Sequence, residues 1–446
     1  MKERIDRRDL LAAFGAAGVI GLAGCVGSDD DDNGDDTAAN GDDDPNGDDD
    51  PNGDDTPEPD VETINLGLLM GVTGALEALG PPIRDGAEAA ANQITDADNN
   101  WEVNTRFEDT QTNPSQGVSG ANAIVDDGVP MFVGALASDV SIPVANDVSI
   151  ERGVVQMSPA STAVPYSEIG EDIDPNLIWR TTPSDAFQGP VAAQIAVDDL
   201  GASSASYLAR DDPYGRGLAN AFAESFENDF GGTMQEEILI DQEQDSFVSP
   251  IEQALSDDPD LLYIVAFPEE GQTIFRNFYE QFDRPDLPIL VPDGLQDAGL
   301  PDDAGQDVET FANVSGTGPG VSDDVATGLD SFLELTDDGI FVRESYDAAA
   351  VLCLARAAAG SDDSLEIAEA IPDVTSGGGE AVSADNLPEG VELAGNGESV
   401  NYNGVSRPLE FDERGDVATP VYDYFDWGRD DDGEPTLNII RTIAQE

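Results

Sequence analysis

Strand-like and helix-like segments alternate twice along this chain of 446 residues, and this alternation limits its fold more than any other feature. Short apolar runs with strand character are followed by runs whose apolar residues recur at helical spacing. In the first run the predicted strands are residues 64–70, 101–107 and 130–134, and the predicted helices are residues 79–94 and 115–125. Such alternation predicts an α/β protein with parallel sheets covered by helices on both faces.

The alternation starts again after a break at Thr182 and Pro183. Two such runs predict two lobes, each with its own sheet. Because ligands of open α/β sheets lie beyond the carboxyl ends of the strands, we expect a ligand-binding cleft between the lobes. The predicted strands of the second run are residues 206–209, 234–240, 261–267 and 288–291, and its predicted helices are residues 214–230, 247–255 and 271–282.

The charge of the chain excludes several classes of partner. Lysine and arginine number 18 against 94 aspartate and glutamate residues, which gives a formal net charge of -76. This field repels phosphate backbones and anionic lipid headgroups, so we expect neither nucleic-acid binding nor membrane docking through basic residues. Concentrated salt screens such self-repulsion, and the composition therefore predicts a halophilic protein.

Histidine is absent from the sequence, which removes serine–histidine–aspartate triads, cysteine–histidine pairs and imidazole metal sites. The two cysteines are Cys25 and Cys353. Since Cys353 lies among apolar residues at helical spacing, we expect it to be buried and unreactive. The remaining motifs favour no cofactor and no metal, and we expect a protein that is not an enzyme.

The N-terminal residues have the order of charges that is typical of an export signal. A basic start containing Arg7 and Arg8 precedes an apolar run, residues 10–24, that is too short to span a bilayer comfortably. The arginine pair resembles a twin-arginine signal, although Asp9 stands where an uncharged residue is more usual. The run ends in small residues before Cys25, which resembles a lipobox and predicts lipidation of that cysteine.

The next segment, residues 26–61, consists mainly of Asp, Asn, Gly and Pro, and Gly-Asp-Asp-Asp-Pro-Asn occurs in it twice. It has almost nothing apolar to bury, so we expect a disordered acidic tether. A calcium-binding repeat is the alternative, but the segment lacks a closing bidentate acid. We expect the mature protein on the extracellular face of the membrane, anchored by lipid and held away from the surface by the tether.

A series of short motifs runs in order along both halves of the chain. The two most specific are residues 133–143 (VGALASDVSIP) and 153–162 (GVVQMSPAST). Together they resemble the leucine/isoleucine/valine-binding proteins of ABC importers. The resemblance implies a type I periplasmic-binding-protein fold, in which two doubly wound parallel-sheet lobes are joined by a three-crossing hinge and close on a ligand. Shorter matching motifs are residues 212–217, 268–272, 292–294, 345–347 and 411–415.

The resemblance also implies how the chain is divided. Each lobe is expected to contain two separate stretches of sequence, because the chain crosses between the lobes three times. The crossings are expected near residues 181–182, residues 315–316 and Pro408. The predicted parts are a signal at residues 1–25, the tether at residues 26–61, lobe 1 at residues 62–182 and 316–407, and lobe 2 at residues 183–315 and 408–446.

An amino-acid ligand carries a carboxylate and an ammonium on one carbon, so its site requires fixed donors and a fixed anion. Ser138 follows a predicted strand and opens a predicted helix, where free backbone N–H groups attract a carboxylate. By resemblance, Ser138 and Thr162 hold the carboxylate, while the Ala160 carbonyl and the Thr162 hydroxyl bind the ammonium. Asp293 supplies the countercharge. An ordinary helix cap at Ser138 and ordinary turns at Ala160–Thr162 and Asp293 remain alternative interpretations.

Aromatic residues are expected to wall the site. Tyr214 and Tyr346 are assigned this role, with packing alone as the alternative. The chain departs from the resembled proteins at Leu79, which replaces a frequent aromatic residue, and at Phe267, which stands near a tyrosine position. Asp139 adds a negative charge beside the expected carboxylate position. The ligand-binding residues that the resemblance implies are Ser138, Ala160, Ser161, Thr162, Tyr214, Phe267, Asp293 and Tyr346.

The sequence therefore predicts a monomeric solute-binding protein that captures a branched-chain or similar amino acid and delivers it to ABC permease subunits. Urea or a short amide is an alternative ligand for the same kind of importer. A ligand-binding sensor is a second alternative. A carboxylate-dependent hydrolase, with Asp293 and Glu269 as its acids, is less favoured because nothing in the sequence brings these two residues together.

Overall fold

The structure is a computed structural model, and it describes residues 61–170, 173–242, 244–321, 328–430 and 433–445. The predicted export signal, the lipidation site Cys25 and the acidic tether lie outside the described residues. The described strands, in chain order, are β1 Glu62–Met70, β2 Trp101–Asp109, β3 Met131–Gly134, β4 Val155–Ser158, β5 Ile178–Arg180, β6 Ser204–Arg210, β7 Thr233–Ile240, β8 Leu261–Val265, β9 Ile289–Val291, β10 Val314–Pro319, β11 Glu380–Val382, β12 Val400–Tyr402, β13 Val421–Arg429 and β14 Pro435–Ala444.

Helices separate most of these strands. Short 3-10 turns occur at Gly74–Leu76, Asp293–Leu295 and Val308–Asn313, and a π-helical turn occurs at Ala145–Ser149. The described α-helices are α1 Gly80–Thr95, α2 Pro114–Asp126, α3 Ser138–Val144, α4 Ile150–Arg152, α5 Val164–Gly170, α6 Asp185–Asp198, α7 Pro213–Asn228, α8 Val248–Ala254, α9 Pro268–Gln281, α10 Leu300–Asp303, α11 Leu329–Leu335, α12 Val342–Ala359, α13 Ser364–Thr375 and α14 Leu387–Gly395.

Two large sheets organise these elements into lobes. The sheet of lobe 1 has the order β2-β1-β3-β4-β5, and all of its pairs are parallel. The sheet of lobe 2 has the order β14-β13-β10-β9-β8-β6-β7, in which β6 to β10 are parallel and β13 and β14 are antiparallel additions at one edge. The α/β class and every predicted strand and helix of the two runs are confirmed.

The packing of α1 explains why helical spacing of apolar residues predicts this helix. Its predicted apolar face is buried against lobe 1, where α12 packs on α1 and on β1, β3 and β4. Gly86 allows the close approach, because a Cβ at this position would lie 2.4 Å from the Val342 carbonyl oxygen. The buried apolar residues that had been predicted for this helix are Ile83, Ala87, Ala90, Ala91 and Ile94.

Helix α12 is buried over almost its whole length between lobe 1 elements. Cys353 lies in this helix as a free, fully buried thiol, which confirms its predicted surroundings. Burial raises the pKa of the Cys353 thiol to about 12. The thiol is therefore protonated and unreactive at neutral pH.

Two lobe boundaries differ from the predicted ones. Strand β10 pairs with β9 and β13 of lobe 2 as far as Pro319, so this crossing lies a few residues after the expected residues 315–316. Past Pro408 the chain is still packed on lobe 1, where Phe411 makes an edge contact with Trp179 and Asp416 pairs with Arg180. Turn motifs alone did not indicate these long-range contacts, and the crossing lies just before β13.

None of the helices in the described part of the chain combines the length and the apolar character needed to cross a bilayer.

Candidate ligand-binding site

A cavity lies between the lobes, at the carboxyl ends of the parallel strands. The loops that form it follow β3 and β4 in lobe 1 and β6, β8 and β9 in lobe 2, together with the first helix and the turn before α12. The lining residues are Leu76, Leu79, Ile83, Leu136, Ala137, Ser138, Ala160, Tyr214, Phe267, Asp293, Gly294 and Phe341.

The polar wall of lobe 1 is formed by the loops after β3 and β4. Ser138 is the first residue of α3, and Ala137, not Ser138, occupies the cap position. The Ser138 hydroxyl accepts a hydrogen bond from the Ala163 backbone N–H at 3.2 Å and so joins the two loops. Ala160 also lines the cavity, at the end of the second loop. The ordinary helix-cap interpretation of Ser138 therefore does not describe its position.

Ser161 has a structural position beneath the cavity and does not line it. It is fully buried, and its hydroxyl bonds to the Leu136 carbonyl oxygen at 3.0 Å and to the Ser141 hydroxyl at 2.6 Å. These contacts fasten the loop after β4 to the loop after β3. Sequence matching alone could not separate Ser161 from its neighbours, because adjacent loop residues point in different directions.

The aromatic wall of lobe 2 consists of Tyr214 and Phe267. Their rings are stacked with centroids 5.4 Å apart and an interplanar angle of 18°. The Tyr214 hydroxyl accepts a hydrogen bond from the Gly294 N–H at 3.0 Å and donates one to Asp293 Oδ1 at 3.3 Å. Tyr214 therefore both walls the cavity and positions the acid at its floor.

Asp293 is the acidic residue of the cavity. It is 3% exposed and begins the 3-10 turn that follows β9. Burial raises the pKa of its carboxyl to about 7, although hydrogen bonding from Gln188 and Tyr214 opposes this shift. Among the described residues no arginine forms an ion pair with Asp293, so its carboxylate lacks a countercharge from the protein.

Asp185 is a second buried acid at this site, and sequence reasoning missed it. It is the first residue of α6 and is fully buried, and neither carboxylate oxygen accepts a hydrogen bond from the described residues. Burial and the charge of Asp293 raise its pKa well above the usual range, while the nearby Thr162 hydroxyl lowers it. That hydroxyl is itself buried and outside hydrogen-bonding geometry. The only sequence signal was an acid in the Thr-Pro-Ser-Asp run, which is an ordinary helix start.

Tyr346, assigned to the wall of the site by resemblance, lies elsewhere. It is buried in α12, its hydroxyl donates to the Gln93 side chain, and its ring makes an edge contact with Phe332. Phe341, which the sequence analysis did not single out, lines the cavity instead. Its φ of 60° belongs to the left-handed turn that opens α12, a backbone feature that no local motif predicted.

The remaining wall is aliphatic. Leu76, Leu79, Ile83 and Leu136 of lobe 1 line the cavity with Phe341 and are buried. The departure noted at Leu79 therefore lies within the site and replaces an aromatic surface by a branched aliphatic one. This wall matches a small apolar side chain and offers no hydrogen-bonding partner to a polar one.

Asp139 faces lobe 2 and not the centre of the cavity. Burial and the neighbouring Asp212 carboxylate raise its pKa to about 6, and the charge of Arg210 opposes the shift. Arg210 is held between Asp212 at 2.7 Å and Glu270, and its guanidinium lies 3.8 Å from the Phe267 ring centroid. Asp139 therefore approaches a charge cluster of the opposite lobe when the lobes are together.

The acid pair considered for a hydrolase is separated by the structure. Glu269 is exposed and lines an open groove with Glu77 and Gln272, whereas Asp293 lines the internal cavity. The buried acid next to Glu269 is Glu270, which pairs with Arg210. Within the described residues no group of three or more acids or cysteines is arranged to hold a metal ion.

Comparison with known proteins agrees with this architecture. The sequence profile of the periplasmic binding protein family matches residues 63–381. The Leu/Ile/Val-binding protein homolog 1 of Brucella suis is 28% identical over 378 residues, which cover 83% of this chain and 91% of that protein. The Leu/Ile/Val-binding protein homolog 2 of Brucella abortus is 26% identical over 380 residues, covering 83% and 92%.

Solved structures share the fold at lower sequence identity. A leucine-binding protein from Thermotoga maritima superimposes with a TM-score of 0.68 at 23% identity, covering 85% of this chain and 98% of that one. A solute-binding protein from R. palustris in complex with 4-hydroxybenzoate gives a TM-score of 0.68 at 17% identity, covering 86% and 97%. The fold therefore accommodates different ligands. The described chain has the type I periplasmic-binding-protein fold, and it belongs to the periplasmic binding protein family of solute-binding proteins that serve ABC importers.

Proposed function

We propose that the protein captures an α-amino acid with a small aliphatic side chain in the cavity between its lobes and delivers it to an ABC permease. The observation that carries the proposal is Asp293, a buried carboxylate without a protein countercharge, placed opposite the polar loops of lobe 1. Such a buried carboxyl is favoured in its ionised form only when a cation lies beside it, and otherwise it takes up a proton. The ammonium of an amino acid supplies one.

Each part of the ligand has a matching wall. The ammonium is bound by Asp293 with the Ala160 carbonyl and the Thr162 hydroxyl, as the resemblance implies. The carboxylate is bound by the Ser138 hydroxyl and by backbone N–H groups at the start of α3. The side chain packs on the aliphatic wall around Leu79. This arrangement favours leucine, isoleucine or valine over a polar amino acid.

The ligand also links the lobes. Asp293 and Tyr214 belong to lobe 2, whereas Ser138 and Ala160 belong to lobe 1. A solute that contacts both groups stabilises the closed arrangement by its differential affinity for it. Neutral urea or a short amide leaves Asp293 without a countercharge, and this disfavours the alternative ligand class.

The cellular setting completes the proposal. Export by a twin-arginine signal and lipidation at Cys25 place the body outside the cell, where the acidic tether keeps it near the permease. Concentrated salt screens the net charge of -76, and transfer to dilute buffer is expected to unfold the protein.

Mass spectrometry of the membrane fraction tests the lipid anchor at Cys25. A lipid on Cys25, lost together with membrane attachment in Cys25→Ser, is expected, and an unmodified Cys25 contradicts it.

A thermal-shift screen of the full chain in concentrated KCl tests the ligand class. Leucine, isoleucine and valine are compared with urea, acetamide, lysine and benzoate. A true ligand at a hundred times its dissociation constant stabilises the folded state by about 2.7 kcal/mol. Stabilisation by the branched-chain amino acids supports the proposal. Stabilisation by urea or benzoate without any amino acid contradicts it.

A further inference from the structure

A surface groove crosses the junction of the two lobes outside the ligand cavity. The lobe 1 side of this junction groove consists of the start of α1 and the turn into α12, and its lobe 2 side consists of the turn after β9 and strands β13 and β14. Apolar side chains line both sides, with Pro82 and Ile340 in lobe 1 and Leu437 and Ile439 in lobe 2. Because both lobes contribute, the groove is complete only while the lobes are together.

The junction groove shares a wall with the ligand cavity. Leu79 and Phe341 line both spaces, and both residues are buried. A ligand that holds the lobes together therefore also holds the two sides of the groove together. A partner seated in the groove thus distinguishes the loaded, closed protein from an empty, open one.

Strand β14 presents apolar side chains to this surface. Ile439 and Ile440 are 50% and 49% exposed. Strand β14 is the edge strand of the lobe 2 sheet, and a shift in its pairing with β13 leaves Ile440 without an opposite residue. On an unbroken strand Leu437 and Thr442 would point to opposite faces, but with this bulge both line the junction groove.

The charge of the junction groove is also specific. The ten residues of β14, Pro435–Ala444, contain no aspartate or glutamate, although five of them are exposed and the chain has 94 acids. Exposed apolar residues with a polar rim are typical of interaction surfaces. Asp297 and Asp423 line the groove and form no ion pair within the described part of the chain, whereas Arg343 pairs with Asp338. The groove therefore suits apolar side chains next to a positive charge.

Charge excludes other occupants of this groove. In a twofold contact with a second copy, the acids at the rim would meet acids, and each chain carries a net charge of -76. The bulge at Ile440 also disfavours direct pairing of two β14 edges. An anionic lipid surface is repelled for the same electrostatic reason. A polypeptide segment with apolar and basic side chains fits the groove best.

We propose that the junction groove is the docking site for the permease, and that it receives a segment of the permease carrying apolar side chains and a lysine or arginine. The apolar side chains pack on Leu437 and Ile439, and the cation pairs with Asp423 or Asp297. Docking requires the closed arrangement, so only the loaded protein docks. This inference rests on the proposed function and adds the docking surface and the chemistry of the partner.

Transport measurements separate docking from ligand binding. Ile439→Glu puts a charge in the apolar part of the groove, and it is expected to lower leucine uptake about tenfold or more in source cells that carry it in place of the wild-type gene, with an unchanged leucine dissociation constant. Leu239→Glu is the matched control, because Leu239 is an exposed apolar residue on β7, at the opposite edge of the same sheet. It should change neither value. Wild-type uptake with Ile439→Glu, or equal losses in the two variants, overturns the proposal.

Two milder substitutions keep the test decisive if Ile439→Glu does not fold. Ile439→Ser removes apolar contact area and should lower uptake about threefold. Asp423→Asn keeps an acceptor for the Thr442 hydroxyl, which donates to Asp423 Oδ1 at 2.5 Å, but it removes the charge and should lower uptake about fivefold. Leucine affinity should stay unchanged in both variants. Wild-type uptake in both overturns the proposal.

Photo-crosslinking in membranes of the source cells identifies the occupant. Benzoylphenylalanine at position 439 is expected to form a product with a permease subunit, identified by mass spectrometry, and leucine should raise its yield about fivefold. A product with a second copy of the chain or with lipid, and none with the permease, overturns the proposal.

A parallel crosslinking sample contains the solute that gives the largest thermal shift in the ligand screen. If leucine does not bind and this other solute raises the yield of the permease product, the proposed ligand class fails while the docking site stands. If leucine binds and the yield does not change, the docking inference alone fails. The two failures are therefore distinguishable.

Discussion

Buried acids occur in two different environments in this protein, and the contrast indicates where the ligand-binding site lies. Asp347 in lobe 1 accepts hydrogen bonds from the Tyr402 hydroxyl at 2.7 Å, the Val405 N–H at 2.8 Å and the Ser406 N–H at 2.9 Å. In the cleft, Asp293 accepts a long side-chain bond from Tyr214 at 3.3 Å, and the Asp185 oxygens have no partner in hydrogen-bonding geometry among the described residues.

The difference separates structural acids from binding acids. An acid with its acceptor sites filled stabilises the loop that supplies the donors. An acid without partners lowers the stability of the empty protein, and it is retained only where something else provides the partner. Asp293 lines the interlobe cavity, whereas Asp347 holds the 402–406 segment in place.

The largest change in ligand affinity is expected from Asp293→Ala. Loss of the carboxylate leaves the ligand ammonium unpaired, and binding is expected to weaken more than a hundredfold, about 3 kcal/mol or more. Calorimetric titration with leucine measures it. Glu269→Ala is the matched control, because this exposed acid lies outside the cavity. An unchanged dissociation constant for Asp293→Ala removes the residue from the site.

Asp347→Ala is expected to lower stability and to leave ligand affinity unchanged. The substitution leaves buried donors of Tyr402, Val405 and Ser406 without an acceptor and should lower the free energy of unfolding by about 3 kcal/mol. Urea unfolding in concentrated KCl measures this value, and the folded fraction should bind leucine with unchanged affinity. Unfolding at the wild-type urea concentration would show that the bonds of Asp347 are not structural.

Acidification is expected to weaken binding. The pKa of Asp293 is raised to about 7 in the unliganded protein, so each unit of pH below this value lowers the affinity about tenfold until the pH falls below the lower pKa of the group in the complex. The effect of Asp293 on folding stability has the opposite pH dependence. Because its carboxyl pKa is raised in the folded protein, its contribution to the free energy of unfolding is present at low pH and is lost as the pH rises through about 7. Dissociation constants at several pH values measure the slope, which should disappear in Asp293→Asn. A flat wild-type profile would contradict an ionised Asp293.

The smallest expected change in affinity concerns Tyr214 and Tyr346, which were both assigned to the wall of the site from the sequence. Tyr214→Phe removes the hydroxyl that donates to Asp293 and should weaken leucine binding about fivefold, close to 1 kcal/mol. Tyr346→Phe removes a bond to Gln93 away from the cavity and should leave affinity unchanged. Equal losses in the two variants would remove the distinction between the two positions.

The sequence was sufficient for the architecture and for part of the site. Strand and helix periodicity located both runs, and parallel strands bring the loops that follow them to one edge. For this reason Ser138, Ala160, Tyr214, Phe267 and Asp293, which follow different strands, all line one cavity.

The missed features depend on contacts that no local pattern encodes. Phe341 reaches the cavity through the left-handed turn before α12, and Tyr346 turns towards α1 in the same helix. Asp185 is distinguished from an ordinary first-turn acid only by its complete burial and by the influence of the Asp293 charge, neither of which a local pattern encodes. The antiparallel strands β13 and β14 likewise follow a return of the chain from lobe 1.

The most direct test of the central claim removes the ammonium from the ligand and leaves the protein intact. Calorimetry in concentrated KCl compares leucine with isocaproate, which has the same carboxylate and side chain without the amino group. If the buried carboxylate of Asp293 binds the ammonium, leucine binds and isocaproate does not bind measurably. Isocaproate binding as tightly as leucine would contradict the account.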